Sequence, residues 1–132
     1  STLNNFFEKE KFTEAKDCLF ISSHEPCSLC LSAITWSGFD NFYYFFPYQE
    51  TKNKFKIPHD LDILKEIFNI NDGKYNKSNK FWDSISILDE ISNLSANYQI
   101  KLREKTDKIV NEYDKLSQSY QSFKKNNKIP LK

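Results

Sequence analysis

Ser22-Ser23-His24-Glu25-Pro26-Cys27-Ser28-Leu29-Cys30-Leu31-Ser32-Ala33-Ile34 is the stretch that decides the fold of this chain. Just before it, Cys18 to Ser23 is a short, almost wholly apolar run, which predicts a central strand covered on both faces. Pro26 suits the first turn of a helix, and the apolar residues after it continue through Ile34 and Trp36 until Gly38 stops them. The Glu-Pro-Cys-x-x-Cys therefore falls at a strand-to-helix junction. Two thiols three positions apart at a helix start lie within one turn of each other, and the unpaired N–H groups there favour the thiolate form. Such a pair is half of a zinc site, whose catalytic form takes three protein ligands and leaves a fourth position for water. The same spacing also serves redox dithiols, and a third reading is two cysteines packed at a helix start without chemistry.

Outward from the motif, Asn41 to Phe46 (Asn-Phe-Tyr-Tyr-Phe-Phe) is aromatic, lacks helical spacing and ends at Pro47, so it predicts a second buried strand. The order strand, helix, strand implies a parallel crossover pair. On the N-terminal side, Leu3, Phe6 and Phe7 share one helical face with no cap before them, so this helix is expected to begin ahead of Ser1. Tyr48 to Lys56 is polar and predicts a loop, after which Asp60 is the expected N-cap of a helix through Leu61, Leu64, Ile67 and Phe68. Asn69 to Asn79, with Gly73, predicts a surface turn, and a further helix is expected through Trp82, Ile85, Leu88 and Ile91. Leu102, Thr106, Ile109, Tyr113, Leu116, Tyr120 and Phe123 alternate spacings of four and three, the seam of a long packing helix or coiled coil. With no internal repeat and no long linker, residues 1–132 read as one domain: a core over 1–48 and a helical C-terminal extension over 57–127.

The composition permits this. A chain of 132 residues, 39% hydrophobic and 16% aromatic, can build one core. Its formal charge of +1 gives no global field toward nucleic acid or anionic membrane. Arg103 is the one arginine, so the planar fork that grips phosphates is scarce. Cys18, Cys27 and Cys30 are an odd set without a signal peptide, which fits a reducing, cytoplasmic setting better than a disulfide scaffold. The longest apolar stretch, Phe42 to Pro47, is strand-sized and too short to span a bilayer.

Ser22 to Trp36, with the aromatic strand after it, resembles the second zinc motif of the cytidine deaminase superfamily, and is similar to the branch of guanine deaminases and tRNA adenosine deaminases. The likeness covers Ser1 to about Tyr48. It implies a three-layer α/β/α cytidine deaminase-like sheet and zinc-dependent hydrolytic deamination of a nucleobase, nucleoside or nucleotide. In that scheme Cys27 and Cys30 are two zinc ligands, while the third ligand and the glutamate that shuttles the proton lie in a His-x-Glu on the preceding helix. No His-x-Glu occurs in this sequence. The sheet is accordingly expected to be incomplete at its N-terminus, and the chain to be the C-terminal portion of a longer enzyme, inactive alone. The alternative is a non-catalytic zinc-binding or protein-interaction module on the same fold.

His24 lies within the turn of the motif, whereas the family's histidine arrives from a separate helix; His59 follows a long loop from which it can approach the pocket, though a lone histidine beside a capping Asp60 is more often a surface or loop residue. Glu25 resembles a family position lining the amino-group side of the pocket; its plainer reading is a carboxylate favoured by a helix N-terminus. Ser23 sits at a strand end, where crevices of open α/β sheets bind ligands, so it and Glu25 are the candidate substrate contacts. Phe45, Phe46 and Tyr48 have the chemistry to stack on a base, though aromatics in a central strand are more often core, and Cys18 reads as a small core residue. The long seam either packs on the deaminase-like layer or contacts the same helix of a second copy, and Tyr113 and Tyr120, which tolerate a wet interface better than leucine, tilt the reading toward a homodimer. Lys124, Lys125, Lys128 and Lys132 form a basic tail that reads as solvated; RNA is not indicated.

Overall fold

The molecule is described here by a computed structural model, which covers residues 2–9 and 14–124. Three short strands, β1 (Ile21–His24), β2 (Asn41–Phe46) and β3 (Asp83–Ser86), form a parallel sheet in the order β1-β2-β3. Ile21 is paired with Tyr43 and His24 with Phe46, while Asn41 to Tyr44 run beside Asp83 to Ser86. Around the sheet lie α1 (Thr2–Lys9), α2 (Ser28–Trp36), α3 (Tyr48–Asn53), α4 (His59–Phe68), α5 (Ile87–Asn93) and α6 (Ala96–Phe123).

Strand alternation sorts the core into two faces. Phe42 and Tyr44 point to one side, where Ile34 and Leu31 of α2 and Leu3 and Phe6 of α1 pack with Phe39 and Trp82. Phe45 points to the other, where Ile87 and Leu88 of α5 and Val110 and Tyr113 of α6 gather, and Phe46 at the strand end joins them. Phe42, Phe46, Phe55 and Ile34 are sealed from solvent. The strand-helix-strand unit and the α/β class match the sequence reading.

Four features depart from it. Among the described residues the middle strand is β2, with β1 paired to it on one side and β3 on the other, and Ile21 of β1 and Leu19 just before it are exposed. The stretch from Tyr48 is a helix: Pro47 caps it with extended backbone, and Tyr48 and Thr51, one turn apart, are both buried. α4 begins at His59 with Pro58 as a cap that makes no side-chain bond, and Asp60 and Asp62 sit in the first turn, where the helix dipole favours them. The segment 57–127 is not wholly helical, since Asp83 to Ser86 complete the sheet and Ser86 then caps α5 by accepting the Asp89 N–H at 3.2 Å. The spacing of Trp82, Ile85 and Leu88 imitates a helix because a strand passes into one without a loop. Residues 125–132, which include most of the basic tail, lie outside the described region.

α6 has 28 residues and is about 42 Å long. It packs through Val110, Tyr113, Ser117 and Gln121, the last donating to the Phe55 carbonyl at 2.8 Å. Ile109, Leu116, Tyr120 and Phe123 of the same seam face outward. Among the described residues no helix is long and apolar enough to cross a membrane.

Candidate metal centre

β1 ends at His24, and three residues carry the chain from it into α2. The Glu25 N–H donates to the Phe46 carbonyl at 2.8 Å, extending the hold of β2 one residue past the strand. Cys27 then caps α2 with extended backbone, its sulfur accepting the Cys30 N–H at 3.4 Å. The two sulfurs lie 3.0 Å apart. The sequence places them there: a cap residue and the third residue of the helix it opens are close on one rim.

As donors the pair suits zinc, which favours soft thiolates. Tetrahedral zinc with bonds of about 2.3 Å needs its sulfurs about 3.8 Å apart, so the pair fits by opening less than about 1 Å, within the reach of a side-chain rotation. Among the described residues no three His, Cys, Asp or Glu side chains converge on a metal position, so the pair stands without a third candidate ligand there. The proton on Cys30 is held more firmly than on an ordinary thiol: burial, the Cys27 thiol and the nearby Asp60 push its pKa up to about 11. The helix N-terminus, expected from sequence to favour thiolate, is outweighed there, and a bound cation would have to displace that proton.

The His24 ring packs against Phe46, Phe55 and Tyr113 on the α6 side, and Nδ1 lies 3.0 Å from Thr51 Oγ1. Burial lowers its pKa, which disfavours the charged ring. Cys30 opens instead onto a groove of about 430 Å³ on the α2 side, floored by Phe20 and Ile34 and walled by Leu29 and Ala33. His59 starts α4, with Nε2 buried and without a hydrogen-bond partner. Beside it, burial raises the pKa of Asp60. Ser23, exposed near the end of β1, lines a separate groove of about 270 Å³ with Ile21, Ile109 and Tyr113 on the α6 side, so Ser23 and the cysteines face different crevices. Phe45, Phe46 and Tyr48 are buried core, and Cys18 is half-buried against the first cluster.

Glu25 is 4% exposed, and its carboxylate is fully engaged. Oε2 accepts the Tyr48 N–H at 3.0 Å; Oε1 accepts the Tyr75 hydroxyl at 2.8 Å and the Lys77 ammonium at 3.0 Å. Tyr48 also donates its hydroxyl to the Pro26 carbonyl, Tyr75 O–H lies 2.8 Å from Ser84 Oγ, and Lys77 reaches the Tyr44 hydroxyl at 2.6 Å. Burial, reinforced by the Glu25 charge, raises the pKa of both Tyr48 and Tyr75, which keeps their hydroxyls as donors. Burial pulls on the Lys77 proton, but bonds to Tyr44 and Glu25 prevail and its pKa rises. Sequence reasoning missed Tyr48, Tyr75 and Lys77 in this setting. Tyr48 has a faint signal in following Pro47; Tyr75 and Lys77 have none, lying some fifty residues beyond the carboxylate they serve.

A three-stranded parallel α/β fold with a thiol pair at the end of its first strand is the class that fold and site define. No protein-family model, curated protein or solved structure matches the chain.

Proposed function

We propose that this chain is the thiolate-bearing portion of a zinc-dependent hydrolytic deaminase of the cytidine deaminase type, acting on a nucleobase, nucleoside or nucleotide. One observation carries the reading: Cys27 and Cys30 meet at the mouth of a helix, at the carboxyl end of a parallel strand, inside an α/β frame of the kind whose strand ends bind ligands. In this reading Cys27 and Cys30 hold the metal by its two thiolate positions. Zinc supplies the acidity that lets water attack an amino-bearing ring carbon at neutral pH. Leu29 and Ala33 give the adjoining crevice an apolar wall against which a base can pack. The third ligand and the proton-shuttling glutamate come from a segment of the longer protein not included in residues 1–132.

Metal analysis and an ammonia-release screen test this. Stoichiometric zinc, lost in Cys27→Ala, is the expected result for the chain, and ammonia release from a base, nucleoside or nucleotide for the longer protein. A reversible Cys27–Cys30 disulfide with no metal affinity would sink the metal centre. The absence of a His-x-Glu from the sequence favours a second reading, a non-catalytic zinc-binding or interaction module on the same frame. Zinc binding by the longer protein without ammonia release from any candidate selects that module.

A further inference from the structure

We propose that Glu25 is a positioning residue: its buried carboxylate locks the Glu25-Pro26 turn and thereby holds the Cys27 and Cys30 sulfurs together. The inference rests on reading those two cysteines as a working pair. A carboxylate that is 4% exposed is costly to bury unless paired and hydrogen-bonded, and this one has a cation and two neutral donors. Its partners come from separate places. Tyr48 opens α3, whereas Tyr75 and Lys77 belong to the connection between α4 and β3. All three converge on the turn immediately before Cys27.

Tyr48 grips that turn twice, with its N–H on the Glu25 carboxylate and its hydroxyl on the Pro26 carbonyl. The Glu25 N–H is meanwhile tied to the end of β2. Glu25 is thus held by side chain and backbone and Pro26 by its carbonyl, which fixes the Cys27 backbone beside Cys30 and leaves the sulfur separation to side-chain rotation alone. Partners of this kind around a ligand loop orient the ligands themselves, and their loss typically costs about 10–100-fold in metal affinity. The connection after α4, which carries no ligand, becomes part of the support of the cysteine pair.

The test compares Glu25→Gln, Tyr75→Phe and Lys77→Met with Leu88→Ala, a core truncation on the α6 side that touches none of these groups. The first readout is the effective concentration of the thiol pair, from its equilibrium with reduced and oxidised glutathione: protein dithiol plus glutathione disulfide gives protein disulfide plus two glutathione thiols. Glu25→Gln is expected to lower it by about tenfold or more, Tyr75→Phe and Lys77→Met to lower it less, and Leu88→Ala to leave it unchanged despite a lower unfolding midpoint. The second readout is cobalt(II) affinity, followed by the thiolate charge-transfer band, which is expected to fall in the same order. If Glu25→Gln does not fold, the other two variants decide. A wild-type effective concentration in every folded variant, or an equal loss in Leu88→Ala, overturns the proposal. If the wild-type chain binds no cobalt while the effective concentration still falls in Glu25→Gln, the metal reading fails and the positioning role stands.

Discussion

His24 is the residue whose surroundings translate most directly into a solution property. Its imidazole is half-buried against Phe46, Phe55 and Tyr113, and burial places its folded pKa below the unfolded value of about 6.5. Below that value the unfolded chain takes up a proton that the folded chain refuses. Stability from this group is therefore complete above about pH 6.5, falls as pH drops through that value, and stops falling once the folded histidine is protonated too. His24→Phe keeps an aromatic ring in the cluster but cannot titrate. Its denaturant midpoint is expected to vary less than that of the wild type between about pH 7.5 and about pH 5; equal slopes in the two proteins would refute the assignment. The motif's residue types were plain in the sequence, but the direction of the His24 ring was not, because the neighbours that bury it come from α3, α6 and the loop at Phe55.

At the scale of elements, two glycines hold the chain in left-handed backbone for different reasons. Gly38, with φ +77°, ends the turn after α2, and a methyl group there would meet no atom within 4 Å. Gly73, with φ +68°, lies under Tyr48, and a methyl group would come within 2.6 Å of its ring and 3.1 Å of Leu61. Gly38→Ala is expected to cost about 1 kcal/mol from backbone strain alone. Gly73→Ala adds overpacking against a buried ring and is expected to cost about 2–4 kcal/mol, measured by chemical denaturation. Equal costs would show that Tyr48 yields freely. α6 gives a second contrast: Tyr113→Ala opens the second cluster and should cost about 2–4 kcal/mol, whereas Leu116→Ala, at a residue 61% exposed, should stay within about 0.5 kcal/mol. The 3.5-residue seam revealed a long helix, but that spacing is shared by Tyr113 and Leu116. Which of them faces the core depends on how α6 is rotated against the sheet.

At the scale of the whole molecule, the Cys27–Cys30 centre draws on segments spread from Leu3 to Ser84. The sulfurs come from one helical turn, the groove beside Cys30 reaches Leu3 of α1, and the carboxylate under the turn is paired by Lys77. β3 stabilises the same arrangement from behind, since Ser84 lies within hydrogen-bond distance of Tyr75. The connection after α4 and strand β3, both beyond residue 57, are therefore part of the frame that carries the pair.

Local order was legible in the sequence wherever one segment carries its own signal. The aromatic run of β2, the cap-and-helix register that brings Cys27 beside Cys30, and the length of α6 all follow from short-range spacing and steric preference. What tertiary structure alone decided is everything that depends on a partner distant in sequence: that β2 lies between β1 and β3, that Asp83 to Ser86 form a strand, and that Glu25 turns inward to Tyr48, Tyr75 and Lys77. Four residues with a mixed pattern become a strand when a neighbouring backbone is available to bond them, and a carboxylate is buried only where a cation and donors arrive to meet it. Neither the neighbour nor the cation is marked in the residues it serves.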